Sequence, residues 1–395
     1  MKVVLMNKNT EVLYAEYDVA ISAFTKVYEV YNIDYAPYIL KWYYDKDDDS
    51  NTFRRHLTEW FKGRGIPSWR DNLEILLRKL NVSTADELLD KAFALSLSDQ
   101  YWIKPYDLDI KYEKINFFEN DFDYAEFLEA SLSVNSKSIK KENSLKTPNN
   151  TTDGMLKKAW VIDNGKRYLL KGDYKEDILS PFNEVLASMI CERLGFNHVS
   201  YTIDTYKDNV VSKCPCFINK DTELVSAYQI MNDQNVSYTK DDYENYIRIL
   251  EKNGIENARE KVENMYILDF IIMNVDRHLN NFGIIRDVNT LKWLDVAPIF
   301  DNGMALRVKS IGEKEVVVST QGRFFYETIT FDEMIKVIRN IKRIDISKLD
   351  RVVEDYDKLL HEYQSFTKIT EDSIHKTCVV LYRQINKLKE IIENS

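Results

Sequence analysis

Apolar and polar positions alternate in blocks in the C-terminal half of the chain, and the pattern predicts a strand hairpin between two polar loops. Two apolar runs, 282–285 and 291–300, are separated by the turn-like residues 287–290. Polar residues 274–281 precede the pair and 301–303 follow it. Each loop therefore lies at the end of a buried strand, and we expect both loops to open on one cleft.

Further strands and helices are predicted on both sides of this hairpin. A turn-rich loop at 151–158 leads into a strand, and Asn164-Gly165 turns the chain back into an apolar strand at 167–171. Pro181 and Gly195 bracket a helix, because Pro suits the first turn and Gly the end. Helical periodicity indicates further helices in 53–61, 71–80, 83–89, 240–273 and 331–394.

The composition is that of a folded chain with room for two or three domains. Of the 395 residues, 44% are apolar and 30% charged, and the four cysteines are too few and scattered for a disulfide framework. The net charge of −10 argues against direct nucleic-acid binding, since phosphate contacts need clustered Lys and Arg. No apolar run has the length of a membrane span or signal segment, so we expect a cytoplasmic protein without membrane contact.

Three side chains on the two polar loops suit phosphoryl transfer from a magnesium nucleotide. Asp276 would orient an acceptor hydroxyl and take its proton, while Asn281 and Asp301 offer the hard oxygen ligands that Mg²⁺ prefers. Protein kinases have the same order of catalytic base, metal-binding Asn and metal-binding Asp. Any one of these residues alone is more simply explained as satisfying a turn. Together they predict an ATP- and Mg²⁺-dependent phosphotransferase.

A second set of residues suits the nucleotide phosphates. Lys171 ends an apolar strand, as a lysine that binds the α- and β-phosphates should, and Glu184 in the next helix would pair with it. The simpler alternatives are a solvated lysine and a carboxylate that favours the helix N-terminus. In the loop at 151–158, backbone N–H groups would bind phosphate oxygens, and Gly154 would let the backbone approach the phosphates closely.

These motifs resemble the HipA-like family of bacterial serine/threonine kinases. The likeness rests on D-R-H-x-x-N at 276–281, D-N-G at 301–303 and the elements around Lys171, and it covers about residues 148–390. It implies an α+β, bilobal protein-kinase-like fold with a small, mostly β N-lobe containing one helix and a largely helical C-lobe. The expected divisions are an N-terminal mixed domain at 1–135, a linker at 136–150, the N-lobe at 151–225 and the C-lobe at 226–395.

The resemblance also implies roles for individual residues, with ATP and Mg²⁺ as cofactors. Asp276 would position the Ser or Thr hydroxyl of a protein substrate, His278 would brace the catalytic loop, and Arg277 would steady the loop or contact phosphate. Asn281 and Asp301 would hold the metal. The residues expected at the nucleotide are Thr152, Gly154, Lys157, Lys171, Glu184 and, in the connection between the lobes, Cys216 and Ile218, with Glu223 near the ribose or capping the next helix.

Two alternatives remain open. Phosphoinositide kinases share the D-R-H-x-x-N loop, so a small-molecule or lipid kinase fits the same residues. A nucleotide- or partner-binding module without turnover fits less well, because it has no need for Lys171, Asp276, Asn281 and Asp301 together. Members of the wider family are often toxins held by a DNA-binding partner encoded alongside, so the resemblance also implies an antitoxin-type partner.

The regions before the kinase motifs carry less specific signals. Residues 131–152 are rich in Ser, Asn, Thr and Lys, which predicts a solvated linker. Segments 60–70 and 95–102 resemble the N-terminal part of longer HipA-like proteins. We expect a packing and substrate-positioning role for residues 1–135, with a regulatory or partner-binding role as the alternative. Because the linker leads to the nucleotide site, the candidate autophosphorylation sites are Ser144, Thr147, Thr151 and Thr152.

Overall fold

The structure of the protein is a computed structural model. The residues it describes are 1–46, 49–68, 73–132, 146–152, 157–173, 178–207, 209–233, 242–311 and 315–395. Within these ranges, none of the helices combines the length and the apolar character that a membrane crossing requires. Gly154 and Ser144, both singled out from the sequence, lie outside the described residues.

The N-terminal unit is an antiparallel sheet covered by helices. Its strands are ordered β3-β2-β1-β4. Phe53, Leu57 and Phe61 recur every four residues on one helix, and they pack with the buried positions of the sheet in a shared core. The strands are β1 Lys2–Asn7, β2 Thr10–Asp18, β3 Ala23–Val30 and β4 Tyr101–Pro105, and the helices are α1 Tyr38–Lys46, α2 Ser50–Gly63, α3 Leu73–Leu80, α4 Ala85–Lys91 and α5 Ala125–Leu132.

The next group of elements is a four-stranded antiparallel sheet with one helix. Its order is β5-β6-β8-β7, and its members are β5 Lys158–Asp163, β6 Lys166–Lys171, β7 Thr202–Tyr206, β8 Asn209–Pro215 and α6 Ser180–Leu194. The turn at Asn164-Gly165 has positive φ at both residues, as the predicted two-residue hairpin requires. Gly195 ends α6 in a left-handed conformation that glycine adopts without strain.

The remaining residues form a largely helical group around a small sheet ordered β11-β10-β9. The predicted hairpin of residues 282–300 is confirmed as the β10–β11 pair. Two two-stranded ribbons follow it. The strands are β9 Thr222–Ser226, β10 Gly283–Asp287, β11 Trp293–Val296, β12 Val308–Ile311, β13 Glu315–Val318, β14 Gln321–Phe324 and β15 Glu327–Thr330. The helices are α7 Ala227–Asp233, α8 Asp242–Lys252, α9 Ala258–Ile272, α10 Phe331–Lys336, α11 Val352–Glu362 and α12 Glu371–Asn394.

Gly283 lets β10 pack closely on β9, and replacing it with alanine is expected to destabilise the protein. A Cβ atom there would lie 2.1 Å from the carbonyl oxygen of Val225 and 2.8 Å from Cα of Ser226. The strands would have to separate, at a cost of roughly 1–3 kcal/mol. The shift of the urea unfolding midpoint measures this. Gly63→Ala is the matched control, because a Cβ there meets no atom within 4 Å, and equal midpoints for both variants would contradict the expectation.

The segment immediately before the N-lobe is buried, so the prediction of a solvated linker is wrong for residues 147–152. Pro148–Thr151 form a 3-10 turn in which Asn149 and Asn150 are fully buried. Nδ2 of Asn150 donates to the carbonyl of Leu88 in the N-terminal unit, at 2.8 Å. The polar side chains here satisfy backbone groups between two packed units instead of facing water. Residues 133–145 lie outside the described part of the chain.

The N-terminal unit contacts the connection between the two lobes. Nε2 of the fully buried Gln100 donates to the carbonyls of Asn219 and Thr222, at 2.7 and 2.6 Å. Arg64 forms a two-pronged ion pair with Asp99, with both N–O distances 2.8 Å, and thereby joins the segments 60–70 and 95–102. These contacts favour the packing role predicted for residues 1–135.

Candidate active site

Arg277 is fully buried and joins the two polar loops. Its guanidinium lies 2.8 Å from both carboxylate oxygens of Asp269 on α9. It also donates to the carbonyls of Asn281 (3.1 Å) and Phe300 (2.7 Å) and to Oδ1 of Asn302 (2.5 Å). Of its two predicted roles, this arrangement supports steadying the loops, because the guanidinium is enclosed among these partners.

Asp276 lies at the start of the first loop with its side chain 39% exposed. Its backbone N–H donates to Oδ1 of Asn274 at 3.1 Å, which fixes the loop independently of the carboxylate. Burial raises the pKa of the Asp276 carboxyl above its ordinary value. His278 and Arg323 oppose that rise, and the negative charge of Asp301 adds to it. A carboxylate that is partly exposed and fixed at its backbone suits a group that accepts a proton from a bound hydroxyl.

His278 supports the loop around Asp276. Its backbone N–H donates to the carbonyl of Asp276 at 2.7 Å, and its Nδ1 accepts from the backbone N–H of Asn280 at 3.3 Å. The side chain is 44% exposed, and Nε2 lies 4.0 Å from a carboxylate oxygen of Asp276. These contacts suit the bracing role predicted from the sequence.

Asn281 and Asp301 fit the chemistry of a magnesium site. Nδ2 of Asn281 donates to the carbonyl of Asp276 at 2.9 Å, which turns the amide oxygen away from that carbonyl. Asp301 has a left-handed backbone, with φ of 58°. One of its carboxylate oxygens accepts from Nζ of Lys171 at 2.9 Å, so the other carboxylate oxygen is left for a cation. An amide oxygen and a carboxylate oxygen are ligands that Mg²⁺ takes alongside phosphate oxygens.

Lys171 is buried at the centre of a network that joins the two lobes. Its Nζ lies 2.7 Å from Oε1 of Glu184 and 2.9 Å from Oδ1 of Asp301, and it donates to the hydroxyl of Tyr201 at 3.2 Å. Burial alone would lower the pKa of Lys171, but the two carboxylates outweigh it and hold that pKa well above its ordinary value. Oε2 of Glu184 accepts the N–H of Asn302 at 2.8 Å. The structure therefore brings together the predicted Lys171–Glu184 pair and the D-N-G loop.

Two residues of this network, Tyr201 and Asn183, were missed in the sequence. The hydroxyl of Tyr201 also accepts the N–H of Asp301 at 3.4 Å. Nδ2 of Asn183 donates to the carbonyls of Gly303 (3.2 Å) and Ala305 (2.7 Å), so it supports the chain after the D-N-G loop. The only local signal was for Asn183, an amide beside Glu184 in the first turn of a helix.

Around the start of β5, the lysines are better placed than Thr152 to act on the nucleotide site. Nζ of Lys157 lies 3.3 Å from Oδ1 of Asp173, two residues after the end of β6. Lys158 lies directly opposite Lys171 in the antiparallel β5–β6 ladder. Burial would raise the pKa of Asp301, but Lys171 and Lys158 outweigh burial and hold it below its usual range. Thr152 is buried, and its hydroxyl donates to the carbonyl of Asn149 at 2.9 Å, so its predicted nucleotide contact would require this turn to open.

The same turn restrains the three predicted autophosphorylation sites that lie in the described residues. Thr147 is fully buried and caps the 3-10 turn, and Thr151 donates its hydroxyl to the carbonyl of Leu95 at 3.0 Å. Thr152 is bonded as described above. Thr147 and Thr152 are buried and Thr151 is half-buried, so phosphorylation at any of these three predicted sites would require the 3-10 turn to open.

The connection between the lobes runs from β8 to β9 and contains Cys216 and Ile218. The N–H of Cys216 donates to the carbonyl of Arg167 at 2.9 Å, and its thiol faces the carbonyls of Leu97 (3.5 Å) and Ile218 (3.3 Å). The Cys216 side chain therefore contacts the N-terminal unit, and a nucleotide contact would involve the backbone. Ile218 is buried.

Glu223 has neither of the roles considered for it. It is buried in β9, where it accepts from Nε of Arg286 at 2.6 Å. Arg286 also donates to the hydroxyl of Tyr101 in the N-terminal unit at 3.1 Å. The prediction of a ribose contact or helix cap at Glu223 is corrected, because the buried arginine is its partner.

This geometry, two lobes joined by a lysine–carboxylate network above paired polar loops, defines a kinase-type fold. Residues 151–356 match the HipA-like C-terminal domain, and the chain belongs to that family. It is 25% identical over 227 residues to the serine/threonine-protein kinase CtkA of Helicobacter pylori, a match that covers 54% of this chain and 63% of that protein. The matched stretch thus spans less than two thirds of that relative.

Two solved structures are similar to this chain. HipA of Shewanella oneidensis MR-1, in a complex with HipB and operator DNA, covers 99% of both chains with a TM-score of 0.55 and 13% identity. The crystal structure of the Helicobacter pylori proinflammatory kinase CtkA covers 60% of this chain and 94% of that chain, with a TM-score of 0.44 and 17% identity. The first likeness extends over the whole chain and confirms the predicted fold class. The match of residues 151–356 confirms the family resemblance.

Proposed function

We propose that this protein is an ATP- and Mg²⁺-dependent serine/threonine protein kinase. The observation that carries the proposal is the position of Lys171 between two carboxylates, 2.7 Å from Glu184 and 2.9 Å from Asp301. A buried lysine fixed in this way is held ready for phosphate oxygens. The family membership and the similarity to the serine/threonine-protein kinase CtkA support the protein-kinase class.

The side chains would act mainly by positioning and by charge. Lys171 would donate to phosphate oxygens of ATP, with Glu184 holding its ammonium in place. Asn281 and Asp301 would hold Mg²⁺, which when bound neutralises charge on the phosphates. Asp276 would accept the proton of the Ser or Thr hydroxyl. The hydroxyl oxygen would attack the γ-phosphorus while the bond from that phosphorus to the leaving ADP oxygen breaks. Arg277 would keep both loops aligned during that step.

We also propose an antitoxin-type partner that binds DNA. The HipA structure from Shewanella oneidensis is similar over the full length of this chain and was solved with HipB and operator DNA. With a net charge of −10, this chain would gain contact with DNA through such a partner rather than through its own surface.

The test is transfer of labelled γ-phosphate from Mg-ATP to proteins of a cell lysate or to the enzyme itself. We expect wild type and Asp107→Asn, an exposed aspartate of the N-terminal unit, to label protein equally. Asp301→Asn should reduce labelling by roughly 10²-fold or more, because it removes a metal ligand and a partner of Lys171. Label found only in small molecules would instead indicate a small-molecule kinase. Binding of ATP without any transfer would indicate a binding module.

A further inference from the structure

The chain after the D-N-G loop returns to the catalytic loop as the β14–β15 hairpin. The backbone N–H of Arg323 donates to the carbonyl of Val275 at 3.3 Å, one residue before Asp276. Gly322 permits this approach, because a Cβ there would lie 2.8 Å from the carbonyl oxygen of Asn274 and 3.0 Å from the ring of Phe331. Gly322 therefore allows the β14–β15 hairpin to pack against the catalytic loop, and Arg323 is the next residue on that hairpin.

The side chain of Arg323 is exposed, on a hairpin whose backbone is hydrogen-bonded to the catalytic loop. Throughout the part of the chain that the structure describes, no side chain forms an ion pair or hydrogen bond with its guanidinium. Two buried arginines of the C-lobe, in contrast, have buried carboxylate partners: Arg277 pairs with Asp269 and Arg286 with Glu223. The positive charge of Arg323 nonetheless acts on Asp276, where it opposes the rise in pKa that burial causes.

The position of Arg323 favours contact with the acceptor rather than with ATP. Lys171 and Lys158 lie on the N-lobe sheet, whereas Arg323 lies on the C-lobe hairpin that is bonded to Val275, the residue before Asp276. An acceptor hydroxyl must lie within hydrogen-bond distance of Asp276. An extended chain advances about 3.3 Å per residue, so residues two or three positions from the acceptor would lie within reach of a neighbouring arginine.

We propose that Arg323 selects Ser or Thr acceptors that have an acidic residue two or three positions away, so that the substrate segment is acidic. This inference rests on the proposed kinase function. An acidic segment would otherwise be repelled by a protein of net charge −10. The guanidinium of Arg323, which has no side-chain partner among the described residues, gives the acceptor side of the cleft a local positive charge that an acidic side chain can neutralise.

The test uses three serine peptides that differ only in having Glu, Gln or Lys two and three positions from the serine. With wild type at saturating Mg-ATP, we expect KM to be roughly tenfold lower for the Glu peptide than for the Lys peptide. Arg323→Glu should reverse that order and leave KM for ATP unchanged, while Arg323→Lys should keep the order. Lys336→Glu, the same charge change at an exposed residue of α10, is the matched control and should behave as wild type.

The results of this test distinguish a failure of the acidic-segment preference from a failure of the proposed kinase function. Equal KM values for the three peptides in wild type would overturn the selection of acidic segments while leaving the kinase function intact. An Arg323→Glu effect on KM for ATP, with peptide preference unchanged, would assign the arginine to the nucleotide and also overturn it. Absence of transfer to every peptide and lysate protein would overturn the kinase function and this inference together.

Discussion

Replacing Asp276 with asparagine is expected to slow phosphoryl transfer by roughly 10²–10⁴-fold, the usual contribution of a general base. The fold should be retained, because the loop is held by backbone bonds to Asn274 and His278 and not by the carboxylate. KM for ATP should change little, since Lys171 and Asp301 are untouched. The measurement is kcat and KM for a peptide substrate, with circular dichroism to verify folding.

The pH dependence of kcat in wild type and in Asp276→Asn distinguishes the loss of a catalytic base from the loss of a structural contact. Burial, with Asp301 adding to it, raises the pKa of Asp276, so the ionised base is lost at a higher pH than for an ordinary aspartate. The wild-type rate should therefore fall as pH decreases through this raised pKa, and Asp276→Asn should show no such fall. Asp107→Asn should follow the wild-type profile. A residual rate in Asp276→Asn above one tenth of wild type would contradict the assignment.

The parts of the fold that could be predicted are those with local signals. The turn between β10 and β11, the Pro181 and Gly195 boundaries of α6 and the Asn164-Gly165 hairpin depend on neighbouring residues only. The site residues were predicted from their order along the chain. The kinase template places the lysine, the helix carboxylate and the two loops in sequence, and the structure brings Lys171 within hydrogen-bond distance of Glu184 and Asp301.

Contacts between distant residues could not be predicted in this way. Tyr201 lies 100 residues before Asp301, whose N–H it accepts, and a tyrosine just before a short strand has no periodic signal of its own. The segment 147–152 was misjudged for a related reason. Composition alone does not distinguish Asn and Thr side chains in water from those that satisfy buried backbone groups. The buried partner of Glu223 is likewise visible only in the folded chain.

Arg277→Met is expected to cause the largest loss of stability, roughly 3–5 kcal/mol in the free energy of unfolding. The substitution leaves Asp269 as a fully buried charge whose arginine partner is gone, and it removes donors from two backbone carbonyls. The two polar loops would also lose their shared partner, so transfer should fall even where the protein still folds. Urea unfolding followed by circular dichroism measures the shift in midpoint.

Burial is the cause of this expected loss, and a surface arginine on the same lobe tests that cause. Arg339 is 63% exposed and pairs with Glu244, so Arg339→Met should cost at most about 1 kcal/mol. The double variant Arg277→Met with Asp269→Leu should be less destabilised than the sum of the two single variants, because it removes the uncompensated charge as well as its partner. Equal midpoint shifts for Arg277→Met and Arg339→Met would contradict this account. That result would mean that the loops are held mainly by the Glu184–Asn302 bond and the backbone contacts around Asp276.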